Sequence, residues 1–163
     1  MVKIEQKLEE MGLVLPEPSP SIAGQAQPPF WIRVRGNIAY VSGQSARNAD
    51  GSSAGPYGKV PSEVSVEQAR EGARGSALAL IGTLKRELGD LDRITAWLNV
   101  QAMVNADLGF KETSAVTNGF SEFILELFGP EIGAHARMSP GMAALPGNAS
   151  VVIAAQVEID GGR

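Results

Sequence analysis

Residues 30–42 read FWIRVRGNIAYVS, two alternating runs, Phe30 to Arg35 and Ile38 to Ser42, separated only by Gly36-Asn37. Period-two alternation places one row of side chains on each face of a strand, and a two-residue Gly-Asn break suits the positive φ angles of a primed turn. The stretch is therefore a β-hairpin. A lone hairpin is marginal in water and needs further strands or a helix against its apolar face. The chain downstream supplies both.

Ser65 caps a helix that runs to about Leu88, with Val66, Ala69, Ala73, Ala77, Leu80, Ile81, Leu84 and Leu88 on one stripe and Gly89 as its stop. The alanines that begin the stripe predict close packing onto a sheet at that end. Ile94 to Val104 alternates as a strand. Glu112 to Phe128 is a second helix with Val116, Phe120, Phe123, Ile124, Leu127 and Phe128 inward, ended by Gly129-Pro130. A second hairpin is expected from Met138 to Leu145 and Val151 to Ile159, turning through Pro146-Gly147-Asn148.

Before the first hairpin, Met1 to Gly12 mixes Lys3, Glu5, Lys7, Glu9 and Glu10 with Ile4, Leu8 and Met11, the pattern of a short amphipathic helix. Pro16 to Pro29 holds five of the ten prolines and reads as an extended connector. Gln44 to Pro61, rich in Gly, Ser, Asn and Asp, is long enough for a loop that edges a site. The order of elements gives an α+β domain over residues 1–163, with 1–29 as helix and lead. Its mixed sheet carries both long helices on one face. Val151, Val152 and Ile153 are consecutive, so that strand presents apolar side chains on both faces, and other subunits are the natural cover for the second.

Composition narrows the chemistry. With 44% hydrophobic and 20% charged residues the chain can bury a core. It has no cysteine, which removes disulfides, thiolate nucleophiles and cysteine-held metals together. His135 is the sole histidine, so a catalytic zinc would lack its usual ligands, and no metal or cofactor is expected. A net charge of -4 with no basic face argues against nucleic acid as a partner. No apolar run approaches the roughly 18 residues of a membrane span, and the start lacks a secretory plan, so the expected location is the cytoplasm.

Among polar candidates Arg137 stands out, because a loop enters a strand there and a guanidinium can pin a planar carboxylate with two parallel hydrogen bonds. The alternative is a structural arginine paired with a carboxylate such as Glu122. His135 titrates in the useful range but has no partner identifiable from the sequence. Ser42 and Ser139 are strand-end hydroxyls that could line a pocket. Asn118 interrupts an apolar helix, while Trp31 and Trp97 read as core. Gly51 to Gly58 lacks the spacing and the lysine of a phosphate loop.

Several segments together resemble the RidA/YjgF family, also called YjgF-like or endoribonuclease L-PSP. They are Gly36-Asn37 with Tyr40-Val41-Ser42-Gly43-Gln44, the helix after Val66-Glu67-Gln68-Ala69, Asn118 with Glu122, and Ala136-Arg137 with Ala144-Leu145-Pro146 and the final apolar strand. The resemblance covers about residues 30–159 and implies a chorismate-mutase-like fold, a homotrimer, and ligand pockets in the clefts between subunits. It implies a cofactor-free hydrolase or deaminase that converts enamines or imines to the 2-oxo acid and ammonia. On it, Arg137 is the catalytic carboxylate clamp, Ser42, Asn118 and Phe30 line the pocket, and Ser139 takes a wall position often occupied by cysteine. Two departures follow from the same resemblance: the acidic residue that holds the attacking water falls on Val152, and the pocket tyrosine falls near Pro29-Phe30. A small-carboxylate binding or sensing protein is the second reading and a ribonuclease the third, disfavoured by acidic charge and a single histidine.

Overall fold

The computed structural model describes residues 3–19 and 31–161. β1 (Ile32–Arg35) and β2 (Ile38–Gln44) form the first hairpin, with Arg35 opposite Ile38. The positive φ falls on Gly36 alone, at 58°, the pattern of a primed turn with glycine first. α2 (Val66–Leu88) opens on a reciprocal capping box between Ser65 and Gln68 and closes on left-handed Gly89 (φ 77°). Both ends are thus satisfied by the residues that marked them, and the cap contributes about 1 kcal/mol. β3 (Ile94–Asn105) follows, then α3 (Thr113–Gly133), whose helical geometry breaks at Gly129 (φ 78°) just before Pro130.

The second hairpin does not form. β4 (Ala136–Met138) and β5 (Gly141–Met142) both run parallel to β3 along its outer edge, whereas β6 (Val151–Ile159) fills the centre of the sheet between β2 and β3. The order is β1-β2-β6-β3-β4, with β5 also on β3. β6 buries a full row against the helices from that central position, which an edge pairing with residues 138–145 would forfeit. Residues 146–148 make a 3-10 turn with Gly147 and Asn148 at positive φ.

α2 and α3 cover one face of this mixed sheet, and the core lies between them. Trp97 of β3 meets Phe120 and Phe128 of α3 edge-on, at 5.8 and 5.5 Å between ring centres. Ala39, Val41, Val100, Ala102, Ile153, Ala155 and Val157 complete the sheet side. Ala69, Ala73 and Ala77 of α2 are buried in this core, and the same end of α2 lies close to α3: a Cβ on Gly119 would stand 2.2 Å from the Arg70 carbonyl oxygen. α1 (Ile4–Glu10) closes the end of the core by burying Ile4 and Leu8. Its first N–H is taken by Asp92 Oδ1 at 2.9 Å, and Glu5 Oε1 receives Lys85 Nζ at 2.7 Å and the Leu91 N–H at 3.0 Å.

β6 alternates strictly: Val151, Ile153, Ala155, Val157 and Ile159 are buried, while Val152, Ala154, Gln156 and Glu158 turn to the face without helices and are half-buried. That open face is apolar where Val152 pairs with Met103 and Ala154 lies near it, and again at Ile38 opposite Glu158. It becomes polar at Gln101, Asn99, Gln156 and Tyr40, which surround a shallow depression of about 140 Å³. Among the described residues no helix is long and apolar enough to cross a membrane.

Candidate functional site

The parallel β3–α3–β4 crossover lays α3 beside the segment that continues from its own end. Residues four apart on a helix share a face, and Thr117 and Ser121 are such a pair. Thr117 Oγ1 lies 2.7 Å from Ser139 Oγ. One turn on, Ser121 Oγ accepts Arg137 Nη1–H at 2.9 Å and lies 2.9 Å from His135 Nε2. The short strand β4 and the residues on either side of it thus present three polar side chains, at 135, 137 and 139, to two hydroxyls of α3.

In a neutral imidazole the geometry fixes the hydrogens. The Gly133 carbonyl oxygen can only accept, so His135 Nδ1, 2.7 Å away, carries the proton. Neutral Nε2 is then an acceptor and the Ser121 hydroxyl donates to it, leaving the serine oxygen to receive Arg137. Burial pushes His135 below its ordinary pKa; the Gly133 carbonyl opposes this and the Arg137 charge adds to it. The Phe120 ring meets the imidazole edge-on at 6.0 Å. Arg137 is half-buried, and burial pulls its pKa down, although a guanidinium stays charged.

Glu122, the alternative partner for Arg137, is instead bound to Arg70 of α2. Among the described residues no carboxylate pairs with Arg137. Its Nε and Nη2 edge therefore faces no acid. Asn118 adjoins Thr117 on α3 and is half-buried. Ser42 is elsewhere: it sits in the bulge of β2, its N–H bonded to the Trp31 carbonyl at 2.9 Å. β6 and β3 separate β2 from β4, so Ser42 and Arg137 lie about 14 Å apart at three strand spacings of roughly 4.8 Å. Phe30 lies outside the described residues. Val152, at the position where the resemblance puts the acidic group, faces the open side of the sheet against Gly43 and Met103.

Ser121 and Thr117 were not among the sequence candidates. Their signal is two hydroxyls at i and i+4 interleaved with Val116, Phe120, Phe123 and Ile124, visible only once β4 is known to run beside that face. Glu5, Asp90 and Asp92 also gather carboxylate oxygens, but the Oδ1 of each aspartate and Glu5 Oε1 accept hydrogen bonds that anchor α1 and the turn after α2.

No family model matches the chain. Protein TCP17 of Trypanosoma cruzi is 33% identical over 158 residues, 97% of this chain and 95% of that protein. Atu1372 of Agrobacterium tumefaciens superposes with a TM-score of 0.84 at 37% identity, over 96% of this chain and 92% of that one. A Shewanella oneidensis protein provisionally described as an endoribonuclease gives a TM-score of 0.85 at 26% identity, over 97% and 100%. More distant structures share the fold alone: the Rid-family protein YyfA of Yersinia pestis (18% identity, TM-score 0.60, 90% and 98% covered), and Escherichia coli TdcF, solved with bound serine (14%, 0.58, 87% and 98%).

Proposed function

This chain belongs to the RidA/YjgF family, and on that premise we propose that it is a cofactor-free hydrolase of the cytoplasm acting on a small carboxylate-bearing imine or enamine. The observation that carries this reading is Arg137. A half-buried guanidinium costs free energy unless its charge is met, and the acid that could have met it, Glu122, is held by Arg70. One N–H of Arg137 goes to a neutral serine, which fixes the side chain without neutralising it. A planar carboxylate on the remaining edge would complete it. TdcF, which shares the fold, holds serine, itself a small carboxylate.

Ser42 and Arg137 cannot line one pocket within a single protomer at their separation. The proposed assembly is a homotrimer in which the open sheet faces meet and Ser42 of one subunit approaches Arg137, Ser139 and Asn118 of the next. Val152 favours a second reading: its side chain cannot hold a water, so a protein that binds 2-oxo acids with little turnover is the alternative.

Release of 2-oxo acid and ammonia from an imine generated in place by an amino-acid oxidase tests the proposal, with wild type and Arg137→Ala compared. Turnover that survives Arg137→Ala would refute the site. Tight pyruvate binding with no turnover would select the binding protein.

A further inference from the structure

We propose that Ser121 and His135 form a proton relay beside the Arg137 clamp, in which the serine hydroxyl passes protons between a bound water or amine and the imidazole. The inference rests on the hydrolase reading and supplies the acid–base group that Val152 lacks. Three features of the geometry support it. The hydrogen bonds run one way, from Arg137 Nη1–H to Ser121 Oγ, from Ser121 O–H to His135 Nε2, and from His135 Nδ1–H to the Gly133 carbonyl. Ser121 is half-buried, and its oxygen, which donates once and accepts once, keeps one lone pair unused by these bonds. The guanidinium that would hold the substrate carboxylate touches the same hydroxyl, so substrate bound on Arg137 lies beside the relay.

The charges that bear on His135 suit a base. Arg137 is the charged group that acts on it, the Gly133 carbonyl steadies a proton on Nδ1, and Phe120 from α3 offers no charge. Burial, the largest influence on His135, favours the neutral imidazole, whose Nε2 can accept a proton. When a carboxylate neutralises Arg137, the opposition to an imidazolium falls, so ligand binding itself prepares the base.

The step balances. The substrate is the protonated imine, a carbon doubly bonded to a cationic NH2 group. Water oxygen bonds to that carbon while the C=N π pair moves to nitrogen. One water proton passes to Ser121 Oγ as the serine proton passes to His135 Nε2, giving a neutral carbinolamine, with OH and NH2 on one carbon, and an imidazolium. The relay then reverses: the proton returns through Ser121 to the amine, making it NH3+. The C–N bond breaks, ammonia leaves with the bonding pair, and the hydroxyl proton goes to ammonia as C=O forms. The sum is protonated imine and water giving the carbonyl compound and ammonium, with His135 again neutral.

The test follows kcat against pH in wild type, Ser121→Ala, Ser121→Thr and His135→Gln, with pyruvate binding measured by calorimetry. Because His135 is the only histidine, proton NMR of its ring gives its midpoint without assignment. We expect His135→Gln and Ser121→Ala to lose about a hundredfold in kcat, within the usual range for acid–base groups; His135→Gln should keep pyruvate affinity within about twofold, whereas Ser121→Ala, which also removes the hydrogen bond that fixes Arg137, should weaken it. Ser121→Thr should retain activity. The acid limb of the wild-type profile should coincide with the NMR midpoint of the pyruvate-bound protein and vanish in His135→Gln, while the midpoint of the free protein should lie below the ordinary histidine range. Should His135→Gln fail to fold, Ser121→Ala against Ser121→Thr carries the kcat comparison, since threonine keeps the hydroxyl that meets both Arg137 and His135. A wild type without imine turnover sinks the hydrolase reading and the relay with it. Wild-type turnover kept in His135→Gln, or lost with the acid limb unmoved, overturns the relay alone and leaves Arg137 in place.

Discussion

Thr117 Oγ1 and Ser139 Oγ lie 2.7 Å apart across the seam between α3 and the residue that follows β4. Thr117 is fully buried, so Thr117→Val removes the inner partner of a half-buried hydroxyl at nearly constant volume. We expect a loss of about 1–2 kcal/mol in urea unfolding, and Ser139→Ala should cost less. Combining the two should cost less than their sum by about 0.5–1.5 kcal/mol. Additive effects would mean that the seam is held by packing alone.

This seam divides what the sequence displays from what it hides. Local signals are legible: Ser65 with Gln68, Gly89, Gly36, and the inward stripes of both long helices each depend on neighbours within a few residues. The pairing of residues 136–142 is not. Four- to eight-residue alternation marks a strand, whereas β4 and β5 hold three and two residues and take their register from β3, more than 30 positions upstream. Ser121, 14 and 16 positions from His135 and Arg137, became their partner only through that pairing, and Glu122 looked a plausible partner although Arg70, 52 residues away, in fact holds it.

Arg137→Lys keeps the charge and discards the planar fork. Each lost charge-assisted hydrogen bond is worth about 1.5–3 kcal/mol, so pyruvate affinity should fall at least tenfold by calorimetry. Glu122→Gln should leave that affinity unchanged, since Glu122 belongs to Arg70. A large effect of Glu122→Gln would return that residue to the site.

Gly119 lies where α3 crosses α2, and a methyl there meets the Arg70 backbone at 2.2 Å. Alanine improves helix propensity by up to about 1 kcal/mol, but separating the helices costs more, about 1–3 kcal/mol. Gly119→Ala should therefore lower the melting temperature. A rise would show that the crossing can open freely.

Burial raises the pKa of Glu5, but hydrogen bonds from Lys85 and the Leu91 N–H outweigh it and hold the carboxyl below its ordinary value. A depressed carboxyl stabilises the fold above its unfolded pKa, and that contribution is lost as pH falls through the folded one. Glu5→Gln should thus be less stable than wild type at pH 7, by about 1 kcal/mol or less for so exposed a pair. The gap should close below about pH 4.5, near the unfolded carboxyl value. A gap that persists in acid would assign the loss to packing of α1 instead.

The assembly decides whether the site exists at all. Ala154 occupies the middle of the open sheet face, opposite Gln101 on β3. In a single protomer an arginine there reaches solvent, so Ala154→Arg should fold with unchanged circular dichroism. In a trimer whose open faces meet, the same guanidinium would be buried without a partner, at a cost of several kcal/mol per interface. We therefore expect light scattering to give a trimer for wild type and a monomer for Ala154→Arg. Pyruvate binding should be lost with the assembly even though Arg137 and Ser121 are untouched, because Ser42 is three strands away from them in its own chain. A monomeric variant that binds pyruvate as wild type does would place the whole site within one protomer, and a wild type that is itself monomeric would remove the intersubunit pocket.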